Sequence, residues 1–224
     1  MSVGEDTFLA ARGLSVKGHW GTVFGPIDLD VPRGGLNVLV GPSGASCTAL
    51  LLALAGRLIP SSGTVSANGT TAPLETIAAI AAVEEVDALD HFTTVGELIT
   101  EQLRWNSPWY RHVPRVRQET AVAVCKPVFG PVELPALRSH VGALTELESL
   151  LLRIALVNIR PRPLLVVGSL DQLPEQEARG VLLSRLGALG ASQTVLTASA
   201  NPVDSEHVSA QIRLGTAIER EGAQ

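Results

Sequence analysis

The chain holds 224 residues with a formal net charge of −5, 46% of them hydrophobic and 17% charged. That balance supports a folded core and excludes both a disordered polyelectrolyte and a broadly basic nucleic-acid binder. The longest apolar stretches, Ala49–Gly56 and Leu150–Ile159, are interrupted by Arg57 and Arg153 and are too short to span a bilayer.

Leu9–Val16 and Ile27–Val31 alternate apolar and polar residues, which predicts two half-buried antiparallel strands. Asn37–Val40 is a short apolar strand that runs into Gly41-Pro42-Ser43-Gly44-Ala45-Ser46-Cys47-Thr48 and then into the apolar helical run Ala49–Leu58. Ser61-Ser62-Gly63 marks a turn, Thr64–Ala67 a strand, and Asn68-Gly69 a hairpin turn. Ile77–Val83 predicts another buried strand. From about Val95 to Leu147 short amphipathic pieces are broken by Pro108, Pro114, Pro127, Pro131 and Pro135, the texture of an inserted helical subdomain. Glu148–Ile159 predicts a helix that Pro161 stops. Leu164–Val167 and Thr194–Leu196, with helical Gln176–Leu189 between them, form a βαβ unit of a parallel sheet, and Ala210–Leu214 is the expected last strand.

A glycine loop between a strand and a helix gathers backbone N–H groups at a helix N-terminus, a geometry that accepts phosphate. The full phosphate-loop pattern adds a lysine for the β/γ-phosphates and a hydroxyl for magnesium. Here Gly41 fits the first glycine, Ser46 replaces the second, Cys47 replaces the lysine, and Thr48 keeps the hydroxyl. The candidate binding residues are therefore Gly41, Pro42, Ser43, Gly44, Ala45, Ser46, Cys47, Thr48 and Ala49.

These residues do not stand alone. Together with Leu14-Ser15-Val16, Ile27–Gly34, Leu54-Ala55-Gly56, Pro60–Val65, and Arg153–Val157 running into Arg162–Val167, they make the chain resemble, over nearly its full length, the ATP-binding subunit of an ABC transporter. The resemblance implies an α/β fold: a P-loop NTPase core of ABC type, with a parallel sheet and helices, an N-terminal antiparallel β-subdomain and an inserted α-helical subdomain at about 95–147. Residues 1–224 then form one ATP-binding domain. It also implies a transmembrane permease and a second ABC-type subunit as partners, as a homo- or heterodimer, with no nucleic acid. The expected location is cytoplasmic, peripheral on the inner face of the membrane; Glu5 and Asp6, standing where a secretory leader is positive, agree with this.

The family's functional residues do not follow its framework. The lysine position falls on Cys47, the Walker B aspartate and glutamate on Gly168 and Ser169, the Q-loop glutamine on Glu85, and the switch histidine on Ala200. The signature Leu-Ser-Gly-Gly-Gln becomes Leu144-Thr145-Glu146-Leu147-Glu148, where Thr145 keeps a hydroxyl that can reach a phosphate while carboxylates face the polyanion. Trp20 is the candidate to stack on adenine. Each charge-assisted hydrogen bond to phosphate contributes about 1.5–3 kcal/mol, and phosphoryl transfer rests on positioning and charge neutralisation. The expectation is a fold kept and an ATPase lost, with no catalytic residue, no metal ligand and at most weak ATP and magnesium binding. A slow ATPase using unconventional residues and a non-transport adaptor are the alternatives.

Other features carry two readings each. Cys47 is either a redox-sensitive thiol at a helix N-terminus or a small residue tolerated where lysine is dispensable. Asp171 serves as a substitute magnesium ligand only if its strand runs three residues longer. Glu84, Glu85, Asp87 and Asp90 read as a solvated acidic loop in preference to a metal site. Cys47 and Cys125 build no disulfide framework, and the five histidines show no metal-ligand spacing with them. Trp105, Trp109 and Tyr110, mixed with Arg104 and Arg111, are either a docking surface or the packed core of the helical subdomain.

Overall fold

The alternation near the N-terminus is realised as β1 (Thr7–Gly18) and β2 (Gly21–Pro32), which pair antiparallel; β1 also pairs antiparallel with β4 (Ser62–Ala67), giving the order β2-β1-β4. The computed structural model of the chain describes residues 6–19, 21–41, 44–83, 86–87 and 89–214. Asn68-Gly69 follows β4 but makes no hairpin. The chain passes instead into a helical turn, α2 (Leu74–Ile77), and among the described residues β4 pairs only with β1.

A second sheet has the order β5-β6-β7-β3-β8, parallel at every pairing, from β3 (Leu36–Val40), β5 (Ala78–Ala81), β6 (Leu164–Ser169), β7 (Thr194–Ser199) and β8 (Ala210–Arg213). β3 and β7 are buried at every residue, as parallel strands covered on both faces are. The predicted strand Ile77–Val83 is shortened from both ends: Ile77 belongs to α2, and Ala82 takes a φ of 56°, which ends the extended run.

Successive residues of a strand point to opposite faces, and the sheet sorts its apolar side chains accordingly. Leu39, Leu164, Val166 and Leu196 pack with α1 (Ala45–Leu54) and the three-stranded sheet. Val38, Leu165, Val167 and Val195 pack on the other side, against α4 (Gln118–Phe129), α5 (Glu146–Val157) and α6 (Gln176–Gly190).

The helix starts are set by local chemistry. α3 (Val95–Trp105) and α5 both open with a capping box, Thr94 with Glu97 and Thr145 with Glu148, so α5 begins two residues before the predicted Glu148. α1 begins at Ala45, inside the segment read as loop, and is followed by Gly56 at a φ of 70°. α4 ends at Gly130, with a φ of 59°, where Arg185 of α6 crosses the chain to donate to the carbonyls of Val128 (2.8 Å) and Pro127 (3.1 Å). A Cβ at residue 130 would lie 2.3 Å from the guanidinium carbon and displace it, and the left-handed φ itself favours glycine there.

Cys125 of α4 is 1% exposed, and burial pushes its thiol pKa from 9.0 up to about 11. The unfolded thiol ionises first, so its contribution to stability is intact below pH ~9 and is lost as the pH climbs through about 11. The expected outcome is that urea unfolding of the native chain loses about 2 kcal/mol more between pH ~8.5 and ~11 than Cys125→Ala does. Equal pH slopes for the two proteins would show that the thiol is not held neutral.

Candidate functional site

The carboxyl ends of β3, β5, β6 and β7 meet at one edge of the parallel sheet, the edge where open α/β sheets bind ligands. A cleft of about 130 Å³ lies there, lined by Gly44, Cys47, Thr48, Leu51, Val83, Gly168, Ser169, Asp171 and Gln172. Small-molecule sites commonly offer roughly 300–1,000 Å³.

The predicted loop residues are brought to this edge, but several are already engaged. Gly41 donates its N–H to the Ser199 carbonyl at 3.1 Å, which joins the end of β3 to β7. Pro42 and Ser43 lie outside the described residues. Gly44 precedes α1 with a φ of 78°, and Ala45, Ser46, Cys47, Thr48 and Ala49 are its first five helical residues. Ser46 donates its hydroxyl to the Val23 carbonyl at 2.7 Å and so ties α1 to β2. Cys47 is 8% exposed and packs in the apolar cluster with Leu50 and Leu51, at the cleft's inner wall. Trp20 lies outside the described residues.

Across the cleft, β6 continues to Ser169 and then closes into a 3₁₀ turn, Leu170–Gln172. This turn returns Asp171 to the cleft without the longer strand that the sequence reading required. Its carboxylate is occupied: Oδ2 accepts from the Ala200 N–H (2.8 Å) and the Ser169 hydroxyl (2.8 Å), while Oδ1 accepts from the Ser199 hydroxyl (3.3 Å). Asp171 thereby ties the end of β6 to the end of β7.

Gln172, which the sequence reading missed, donates through Nε2 to the carbonyls of Ala82 (2.9 Å) and Ser169 (3.1 Å). The space beside Gly168 is filled by these same groups. A Cβ there would stand 1.9 Å from the Ala82 oxygen and 2.6 Å from Gln172 Nε2. The position that the resemblance gives to a carboxylate therefore has room for no side chain. One signal was available: two polar residues, Asp171 and Gln172, stand one residue beyond a strand that ends in Gly168-Ser169.

The acidic stretch before α3 is structural where it is described. Asp87 accepts from the Ala82 N–H (2.6 Å) and pairs with Arg153, whose Nη2 also donates to the Val83 carbonyl at 3.1 Å. Asp90 accepts from the Phe92 N–H (3.0 Å) and the Thr93 hydroxyl (3.3 Å). Glu84 and Glu85 lie outside the described residues. Among the described residues no group of three or more His, Cys, Asp or Glu side chains is placed to hold a metal ion.

Thr145 corrects an expectation. Its hydroxyl accepts from the Glu148 N–H (3.2 Å) and donates to Glu148 Oε2 (2.9 Å), while the same carboxylate takes the Thr145 N–H (2.8 Å). The hydroxyl expected to reach a phosphate is thus consumed in starting α5. Trp105, Trp109 and Tyr110 are 78%, 96% and 76% exposed, so the reading of a packed subdomain core is also wrong.

A model of the ABC transporter family matches residues 24–167, well over half of the chain. The chain belongs to the ABC transporter ATP-binding family. It is similar to the hemin import ATP-binding protein HmuV of Nocardia farcinica, with 44% identity over 71 residues, which cover 30% of this chain and 24% of that relative. The matched stretch therefore spans about a quarter of the curated relative. Solved structures share the fold at low identity. An ABC transporter ATP-binding protein from Pyrococcus furiosus has a TM-score of 0.70 at 18% identity, covering 93% of this chain and 98% of that one. CbiO1 from Clostridium perfringens, part of the ABC transporter complex CbiONQ, has 0.64 at 15%, covering 88% and 80%. A metal-chelate type ABC transporter in an inward-facing conformation also has 0.64 at 15%, covering 88% and 75%.

The ABC family binds ATP with magnesium, and the described lining of this cleft does not suit that pair. It contains no lysine, arginine or histidine, and its one carboxylate is bonded to both strand ends. The expected outcome is that Gly168→Asp, the substitution that supplies the family's residue, lowers unfolding stability by about 1–3 kcal/mol and brings no magnesium binding. Denaturant unfolding and metal titration of the purified variant check both; unchanged stability with tight magnesium binding would show that the cleft is open.

Proposed function

We propose that this chain is a non-hydrolysing ABC-type subunit, a structural or regulatory partner of a membrane permease, of a competent ATP-binding subunit, or of both. Support comes above all from one observation: the described lining of the cleft at the carboxyl edge of the sheet holds no cation, and its Asp171 and Gln172 are bonded to their own chain. A triphosphate brings concentrated negative charge that only cations and free N–H donors offset. In the family, each of two nucleotide sites combines one subunit's phosphate loop with the other's signature segment. Cys47 and Gly168-Ser169 weaken one site, and the committed Thr145 with Glu146 weakens the other.

The similarity to a hemin import ATP-binding protein and to a metal-chelate type transporter supports an importer of metal chelates as the setting. Residues 1–224 act in it as one domain, with about 95–147 as its inserted helical part. Among the described residues no helix is long and apolar enough to cross a membrane, so attachment would run through a partner or through the surface. The proposed place is the inner face of the membrane.

Calorimetry on the purified full chain is expected to give no magnesium-dependent heat with ATP at micromolar concentrations. Phosphate release is expected to match that of a Gly41→Trp control, whose side chain would crowd Leu214 beside the loop. Micromolar binding or release above that control would restore the slow-ATPase alternative. Affinity purification from native membranes is expected to bring down a multi-spanning protein; its absence would favour an adaptor outside transport.

A further inference from the structure

The segment from the last turn of α3 to the start of α4, residues 104–117, reads Arg-Trp-Asn-Ser-Pro-Trp-Tyr-Arg-His-Val-Pro-Arg-Val-Arg. Four arginines and no acidic residue stand together in a chain of net charge −5. All four arginines are exposed, as are Trp105, Trp109 and Tyr110, among the most exposed large hydrophobic side chains described. Trp109 and Tyr110 meet edge to face with centroids 6.0 Å apart, and neither the Trp109 N–H nor the Tyr110 hydroxyl has a hydrogen-bond partner among the described residues. The only aliphatic residues of the segment, Val113 and Val116, are half-buried.

We infer that this segment is a docking surface for an anionic phospholipid bilayer, with the aromatic rings in the headgroup zone and the arginines on lipid phosphates. Two features fit this occupant. Exposed aromatic rings with polar edges, flanked by arginines, are the side chains that settle at a membrane–water interface and on anionic headgroups. Cations also have to be left free for an external anion. Arg104 Nε donates to the Val113 carbonyl at 3.1 Å and braces the segment, but the guanidinium groups of Arg111 and Arg117 form no hydrogen bond or ion pair among the described residues.

Beneath the segment lies an open groove of about 1030 Å³, walled by α3 on one side and by Arg115 and Arg138 on the other. Two carboxylates on the α3 wall oppose an anion. Glu97 is engaged by the Thr94 hydroxyl and N–H, which hold its pKa below the usual carboxylate range, and Glu101 accepts from Trp105 Nε1 at 3.4 Å. Arg104, Arg115 and Arg138 outnumber these two carboxylates in the groove lining, so the summed field favours phosphate. The inference does not depend on the permease reading, because the test contains no permease.

The full chain is mixed with phosphatidylcholine vesicles and with vesicles carrying about 30% phosphatidylglycerol, and bound protein is measured by flotation. The expected result is binding to the anionic vesicles alone, with a blue shift of tryptophan emission, weakening as salt is raised to about 0.5 M. Arg111→Gln/Arg115→Gln/Arg117→Gln is expected to lower partitioning roughly a hundredfold, at about 1 kcal/mol per arginine. Trp109→Ser/Tyr110→Ser removes exposed side chains, preserves the fold by circular dichroism, and is expected to reduce the blue shift to the part that Trp105 supplies. Equal binding to neutral vesicles, unchanged partitioning of the arginine variant, or no vesicle binding with retention on an acidic-peptide column would each overturn the inference.

Discussion

One chain of hydrogen bonds organises the carboxyl edge of the parallel sheet. It begins at Arg153 on α5, passes through Asp87 to the Ala82 backbone, continues through Gln172 to Ser169, and ends at Asp171 with the Ala200 N–H. Three strand ends are held by it. Its donors and acceptors are largely shielded from water; the Arg153 and Asp87 side chains are only 15% and 24% exposed, so a missing partner leaves a polar group uncompensated. Among the described residues, the polar side chains Asp171 and Gln172 at this edge are directed at their own chain.

The same internal commitment recurs around the site. Ser46 is spent on the Val23 carbonyl, the Gly41 N–H on Ser199, and the Thr145 hydroxyl on Glu148. Each bond joins two elements or starts a helix, so each strengthens the framework that relates this chain to its family while removing a contact from the cleft. In the function proposed here framework and chemistry part company, as they can whenever function resides in a small set of side chains mounted on a shared fold.

The framework was legible in the sequence because burial leaves periodic marks. Leu164–Val167 and Thr194–Leu196 are continuous apolar runs because both faces of the sheet are covered. The alternation in Ile27–Val31 reflects a strand packed on one face, whereas Leu9–Val16, expected to be half-buried, is buried along most of its length. Boundaries were less legible where a polar detail decided them. Thr94 and Glu97, like Thr145 and Glu148, carry the three-residue spacing of a capping box, which fixes the starts of α3 and α5 in a way that apolar periodicity does not register. The replaced positions Cys47, Gly168, Ser169 and Ala200 were readable one by one. What filled the vacated space was not, because Gln172 meets Ala82 across 90 residues of chain, and only the fold brings them together. Burial of the Trp105–Tyr110 cluster likewise depended on which way the turn after α3 faces.

Gly168 gives this arrangement its tightest steric constraint. With Ala82 and Gln172 seated against its α-carbon, no larger residue fits until one of those two neighbours has moved. An acidic side chain at position 168 displaces the Ala82 turn or Gln172, so this position is coupled to one residue close by in the sequence and to another far from it. The interlock thus makes the size of one residue answerable to two neighbours at once.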